Sequence, residues 1–121
     1  MATSRPILVV DDDDSIREFV SVALTDEGYS VLTAADGAAA LESIGREQPG
    51  VILLDMRMPV MDGWEFSRAY HATPAPHAPI IVVTAARDAA DRASQIEAEA
   101  FLAKPFDLED LLNLVGRYLK E

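Results

Sequence analysis

Four short apolar runs interrupt an otherwise mixed chain: Ile7-Leu8-Val9-Val10, Val51-Ile52-Leu53-Leu54, Ile80-Ile81-Val82-Val83 and Phe101-Leu102-Ala103. They are continuous rather than alternating, the pattern of strands covered on both faces in a parallel sheet. A weaker stretch, Val31-Leu32-Thr33-Ala34, reads as an edge strand. Helical spacing fills the gaps. Ile16, Phe19, Val20, Ala23 and Leu24 recur at intervals of three and four and predict one buried stripe. Ser15 and Glu18 have capping-box spacing at the start of that helix, and Gly28 can supply its left-handed stop. The last helix repeats the pattern with Leu108, Leu111, Leu112, Val115 and Leu119, with Asp107 as its N-cap. Alanine-rich helices are expected over residues 38–47 and 87–98, and another begins near Trp64.

Strand and helix thus alternate five times. This (βα)5 order argues for the α/β class, with an open, doubly wound parallel sheet and helices on both faces. Right-handed crossovers place every strand's C-terminal end on one edge, where ligands of such folds sit. Functional residues are therefore to be sought just after each strand. Residues 1–121 are expected to form a single domain, and the Pro/Ala-rich segment 73–79 reads as a surface loop rather than a linker.

Composition narrows the function. Half of the residues are hydrophobic, enough for a core without disulfides, and there is no cysteine for a disulfide or a thiolate zinc site. His71 and His77 are separated by the proline-rich stretch and read as exposed helix-end and loop residues rather than metal ligands. A formal net charge of −11 disfavours direct binding to a phosphate backbone. No apolar run has the length of a membrane span, and Met1-Ala2-Thr3-Ser4-Arg5-Pro6 leads into Ile7 without a signal peptide's hydrophobic stretch, so a cytoplasmic location is expected.

The strand ends carry the chemistry. The first ends in Asp11-Asp12-Asp13-Asp14, the third in Asp55, the fourth in Thr84 and the fifth in Lys104-Pro105. Acids at a helix start favour the positive end of its dipole, which accounts for Asp13 and Asp14. It accounts less well for Asp11, which abuts four apolar residues, and metal ligation by Asp11 and Asp12 is the better reading. Asp55 directly follows a fully apolar strand, where a bare carboxylate is costly unless its charge is compensated; the simpler alternative is a turn cap in Met56-Arg57-Met58-Pro59. If the three acids converge, their repulsion is relieved by a hard dication, and an oxygen-only donor set suits Mg²⁺. Lys104, in apolar surroundings, is by itself an ordinary strand-end lysine; beside such a cluster it can pair with Asp55 and then with a phosphoryl oxygen. Thr84 alone says little, although its hydroxyl can donate to the same group.

Taken together, Ile7-Leu8-Val9-Val10-Asp11-Asp12-Asp13, Val51-Ile52-Leu53-Leu54-Asp55-Met56-Arg57-Met58-Pro59, Met61-Asp62-Gly63, Val83-Thr84-Ala85 and Lys104-Pro105-Phe106 resemble, over essentially the whole chain, the receiver domains of bacterial response regulators. The resemblance implies a flavodoxin-like sheet in the order 2-1-3-4-5. It implies that Asp55 is the phosphoacceptor and that Mg²⁺ is held by Asp12 directly, by Asp11 partly through water, by Asp55 and by the Arg57 backbone carbonyl. Thr84 and Lys104 take the switch-threonine and lysine roles, Phe101 stands at the aromatic switch position, and the Lys104-Pro105 bond is expected to be cis. A histidine kinase or phosphotransfer protein would donate the phosphoryl group. A downstream protein would be met through the face formed by the fourth helix, fifth strand and fifth helix, by a monomer or a phosphorylation-linked homodimer. The last helix is expected to end the protein, with output through protein contact, the alternative being a fragment of a longer regulator.

Some positions depart from the pattern. Glu97 stands where many receivers have a glycine ending the fourth helix. Arg57 and Ala86, two residues beyond Asp55 and Thr84, occupy places that tune phosphoryl lifetime in the family. Two other functions compete. A phosphohydrolase of the haloacid dehalogenase type also uses an aspartyl phosphate, but wants a second acid where Arg57 stands. A receiver-like scaffold acting without phosphorylation does not require the full set of Asp11, Asp12, Asp55, Thr84 and Lys104.

Overall fold

Residues 5–85 and 87–119 are described by a computed structural model; residues 1–4, Ala86 and the last two residues lie outside the described part. The elements run β1 (Ile7–Val10), α1 (Asp14–Asp26), β2 (Val31–Ala34), α2 (Gly37–Arg46), β3 (Val51–Leu54), α3 (Gly63–His71), β4 (Ile80–Ala85), α4 (Ala89–Gln95), β5 (Ala100–Lys104) and α5 (Leu108–Tyr118). The five strands are parallel in the order β2-β1-β3-β4-β5, the (βα)5 arrangement expected.

The continuous apolar runs have a direct cause. Leu8, Val10, Ile52, Leu54, Ile80 and Val82 pack on one face against Ala40, Ile44, Phe66, Tyr70, Ala93 and Ile96 of α2, α3 and the α4 end. Their neighbours Ile7, Val9, Val51, Leu53, Ile81 and Val83 pack on the other against Val20, Leu24, Leu111 and Val115 of α1 and α5. Both faces are dry, so neither set of alternating positions tolerates a polar residue. Each large side chain so buried contributes about 1.5–3 kcal/mol. The outer strands differ: β2 is the partly exposed edge expected, whereas Phe101-Leu102-Ala103 belongs to the opposite edge, with Phe101 49% exposed.

Helix ends correct several expectations. Asp13, not Ser15, caps α1: its backbone is extended and its side chain accepts from the Ser15 and Ile16 amides. Within the same helix only Val20 and Leu24 are buried; Phe19 lies 54% exposed. Gly28, at φ +95°, provides the left-handed stop after α1. Asp36 caps α2, and α3 starts with a complete capping box from Asp62 and Glu65. Asp107 occupies the N-cap of α5 without a side-chain bond. The proline-rich loop turns back on α3, so that the rings of His71 and His77, expected apart, meet with centroids 5.2 Å apart. Lys104-Pro105 is cis, as is Ala75-Pro76.

The fourth helix is shorter than the expected span of 87–98. It closes with the Ala98 amide on the Ala93 carbonyl and the Glu97 amide on the Ser94 carbonyl, which forces Glu97 to φ +56°. A β-carbon is disfavoured there. Glu97→Gly should therefore raise stability by roughly 0.5–1 kcal/mol in urea unfolding, despite the usual entropic cost of glycine; a destabilised variant would contradict this account of the helix end.

Candidate functional site

Strand register assembles the site. Val10 pairs with Leu54, so the next residues, Asp11 and Asp55, emerge side by side at the C-terminal edge. The Asp55 amide donates to the Val10 carbonyl, and the Asp11 amide to the Ala34 carbonyl, which ties both acids to the sheet. Leu54 pairs with Val82 and Ala85 with Lys104, which brings Thr84 and Lys104 to the same edge. Behind Asp55 the chain turns sharply: the Gly63 amide donates to the Met56 carbonyl at 2.9 Å. A β-carbon on Gly63 would lie 2.7 Å from the Met56 α-carbon, so only glycine lets α3 begin there.

Asp11, Asp12 and Asp55 each offer a carboxylate oxygen, and these atoms all lie within 4.8 Å of one another. Asp11 and Asp55 are buried; Asp12 is exposed. Lys104 reaches over from β5 and donates its Nζ to Asp11 at 2.8 Å and, more distantly, to Asp55 at 3.5 Å. The lysine expected to pair with Asp55 thus leans mainly on Asp11. Burial pushes the Asp55 carboxyl above its ordinary value; the Lys104 charge opposes this, and the charge of Asp11 adds to it. Burial also works against the Lys104 ammonium, but its bond to Asp11 and the charges of Asp55 and Asp11 outweigh it and raise its pKa. The cluster holds more negative charge than one lysine balances. Chemically, this is a nest of hard oxygen donors with capacity for a dication, set around a buried carboxylate.

In front of Asp55 opens a cleft of about 630 Å³ lined by Asp55, Arg57, Thr84, Ala85 and Lys104 on one side and by Ser15, Ile16, Phe19, Pro105 and Phe106 on the other. Thr84 is buried at its floor, whereas Phe101 sits half-exposed away from the lining. Ala86 lies outside the described residues. The apolar wall of Ile16, Phe19 and Phe106 is not evident from helical spacing, which puts Phe19 in the buried stripe; only its place one position ahead of Val20 hints that it turns toward the cleft. Trp64, just past Asp62-Gly63, points away from the cleft and bonds Gln95 of α4. Among the described residues, no helix is long and apolar enough to cross a membrane.

Five parallel strands bearing this cluster at one edge define a class, and sequence comparison agrees: the family model of the response regulator receiver domain matches residues 7–116. The chain belongs to that family. It is 40% identical over 116 residues to response regulator MprA of Mycobacterium leprae, covering 94% of this chain and 50% of the relative. It is 43% identical over 108 residues to the MprA of Mycobacterium avium, covering 88% and 47%. The chain therefore spans about half the length of the curated relatives it matches. Among solved structures, the chemotaxis response regulator CheY4 of Vibrio cholerae superposes with a TM-score of 0.86 at 38% identity, covering 97% of this chain and all of that one. A putative response regulator from Chloroflexus aurantiacus gives 0.88 at 31% identity, covering 97% and 98%.

The raised Asp55 pKa has a signed consequence. Folded Asp55 holds its proton to higher pH than unfolded Asp55, so its favourable share of stability is complete below the unfolded value of 3.8 and is lost as pH rises through the folded value. Without divalent cations, Asp55→Asn should melt a few degrees above the wild type at pH 7, and the gap should close as pH approaches the unfolded value. A gap that widens on acidification would contradict the electrostatics described.

Proposed function

We propose that the chain is a phosphorylation-dependent switch of a two-component system, with Asp55 as the phosphoacceptor. The observation that carries this reading is the convergence of Asp11, Asp12 and Asp55 beside Lys104, with Asp55 and Lys104 themselves lining an open cleft. An Asp55 oxygen attacks the phosphorus of a phosphohistidine on a kinase or phosphotransfer protein. The P–N bond breaks, and the imidazole leaves with the electron pair and is protonated. Asp11, Asp12, Asp55 and the Arg57 backbone carbonyl would hold Mg²⁺, which would supply neutralisation of charge on the phosphoryl oxygens. Lys104 turns from the carboxylates to a phosphoryl oxygen, exchanging one anionic partner for another. The buried Thr84 hydroxyl donates to the same group.

Thr84 and Phe101 are the switch. Movement of Thr84 toward the phosphoryl group vacates space on the β5 side, into which the half-exposed Phe101 ring turns. The surface made by α4, β5 and α5 changes with it, and a downstream protein reads the change, either from a monomer or from a phosphorylation-linked homodimer. This is a population shift between two arrangements, biased by one covalent group. Hydrolysis of the acyl phosphate by water resets the chain, which turns over no external substrate. The signalling kinases it would serve place it in the cytoplasm.

The wild type should take up a hydroxylamine-sensitive label from acetyl phosphate in the presence of Mg²⁺. Asp55→Asn should take up none, and Asp12→Asn should label roughly tenfold more slowly or worse. Chelation by EDTA should stop wild-type labelling. A label that persists in Asp55→Asn, read by phosphoprotein gel and intact mass, refutes the assignment.

A further inference from the structure

Among the described residues, long side chains join α3 and α4 at Trp64. Trp64, the second residue of α3, donates its indole Nε1–H to Gln95 Oε1 at 2.8 Å. Its ring also lies beneath the Arg92 guanidinium, whose Cζ is 4.8 Å from the ring centroid. Arg92 and Gln95 are three residues apart and share a face of α4, so the indole grips that face at two points one turn apart. Arg92 is mostly buried and reaches Asp88 only at 3.5 Å, and its Nε is buried with no hydrogen-bond partner among the described residues. The ring therefore adds a second favourable partner to a guanidinium whose acidic neighbour, Asp88, is distant.

The two helices differ in how firmly they are seated. α3 begins with a full capping box and a glycine packed against the Asp55–Met56 backbone. α4 has seven residues, an N-cap residue, Asp88, whose side chain makes no capping bond, and a non-glycine residue in the left-handed conformation just past its end. A fully capped helix that starts against the site's backbone therefore touches, through one aromatic side chain, the outer face of a shorter helix. That shorter helix lacks a side-chain N-cap but buries Ala89 and packs Ala93 against the sheet.

We propose that Trp64 latches α4, through its bond to Gln95 and its ring under Arg92, in the arrangement of the unphosphorylated chain. Rearrangement of the α4 face then requires the latch to open. This rests on the reading of Asp55 as phosphoacceptor and adds to it a second route from site to α4, through Met56, Gly63 and Trp64, separate from Thr84 and Phe101. Contacts made in only one of two arrangements bias the equilibrium toward it, and their removal shifts the population the other way.

The test compares wild type with Gln95→Ala and Trp64→Phe; Gln95 is exposed, so the first variant opens no core. Amide hydrogen exchange over residues 89–95 of the unligated protein should quicken about three- to tenfold in both variants, while strand amides and the melting temperature stay near wild type. The apparent affinity for beryllofluoride with Mg²⁺ should rise by a similar factor. Unchanged exchange over residues 89–95 overturns the latch, whatever the phosphorylation chemistry. Faster exchange with unchanged beryllofluoride affinity overturns its coupling to the site. A wild type that does not bind beryllofluoride overturns the phosphoacceptor reading instead and leaves the exchange result to judge the latch.

Discussion

Two aspartates, Asp11 and Asp55, are held out of water at the edge of the sheet, with Lys104 as the cation that spans them. Their position is set by backbone pairing that neither can escape: each amide is bonded to the strand next to it, and the strands are locked by apolar packing on both faces. Repulsion between the carboxylates is therefore stored rather than relaxed. The lysine offsets part of it, mainly at Asp11, and leaves Asp55 the less compensated of the two. Desolvated charge of this kind disfavours the fold by itself and becomes useful when a partner of opposite sign arrives.

The doubly wound sheet makes this arrangement possible. Its core lies in two layers, each built from alternate residues of the same strands, so the strands cannot slip in register without exposing one layer. Rigidity in the middle gives precision at the edge. There the chain leaves regular structure, and there sit the exposed Asp12 and the cleft wall of Ile16, Phe19 and Phe106, with the short α4, which lacks a side-chain N-cap, following β4. The packed strands fix where Asp11 and Asp55 stand, while the segments around them are less constrained.

Much of this was legible in the amino-acid order. Residues 7–10 and 51–54 read as central strands because burial on both faces erases alternation, and the physics is local to each run. Asp11, Asp55 and Lys104 stood out because a charge beside an apolar strand needs a reason. What escaped depends on contacts between distant segments. The run Asp11-Asp12-Asp13-Asp14 offers several possible caps, and only the path of the strand exit selects Asp13 over Ser15. Phe19 obeys helical spacing yet faces the cleft, since the angle at which α1 lies on the sheet decides which residue of the stripe is covered. The direction of Trp64, the meeting of His71 with His77 and the preference of Lys104 for Asp11 are likewise decided by tertiary placement. The early end of α4 follows from a left-handed turn at a residue, Glu97, with no propensity for it.

Calorimetric titration of the wild-type chain with Mg²⁺ addresses the central claim most directly, namely that the uncompensated charge of Asp11, Asp12 and Asp55 is a seat for a dication. A single saturable binding event at millimolar concentration, lost in Asp12→Asn while the fold is retained, is the expected result. Absence of any binding heat in the folded wild type would contradict it.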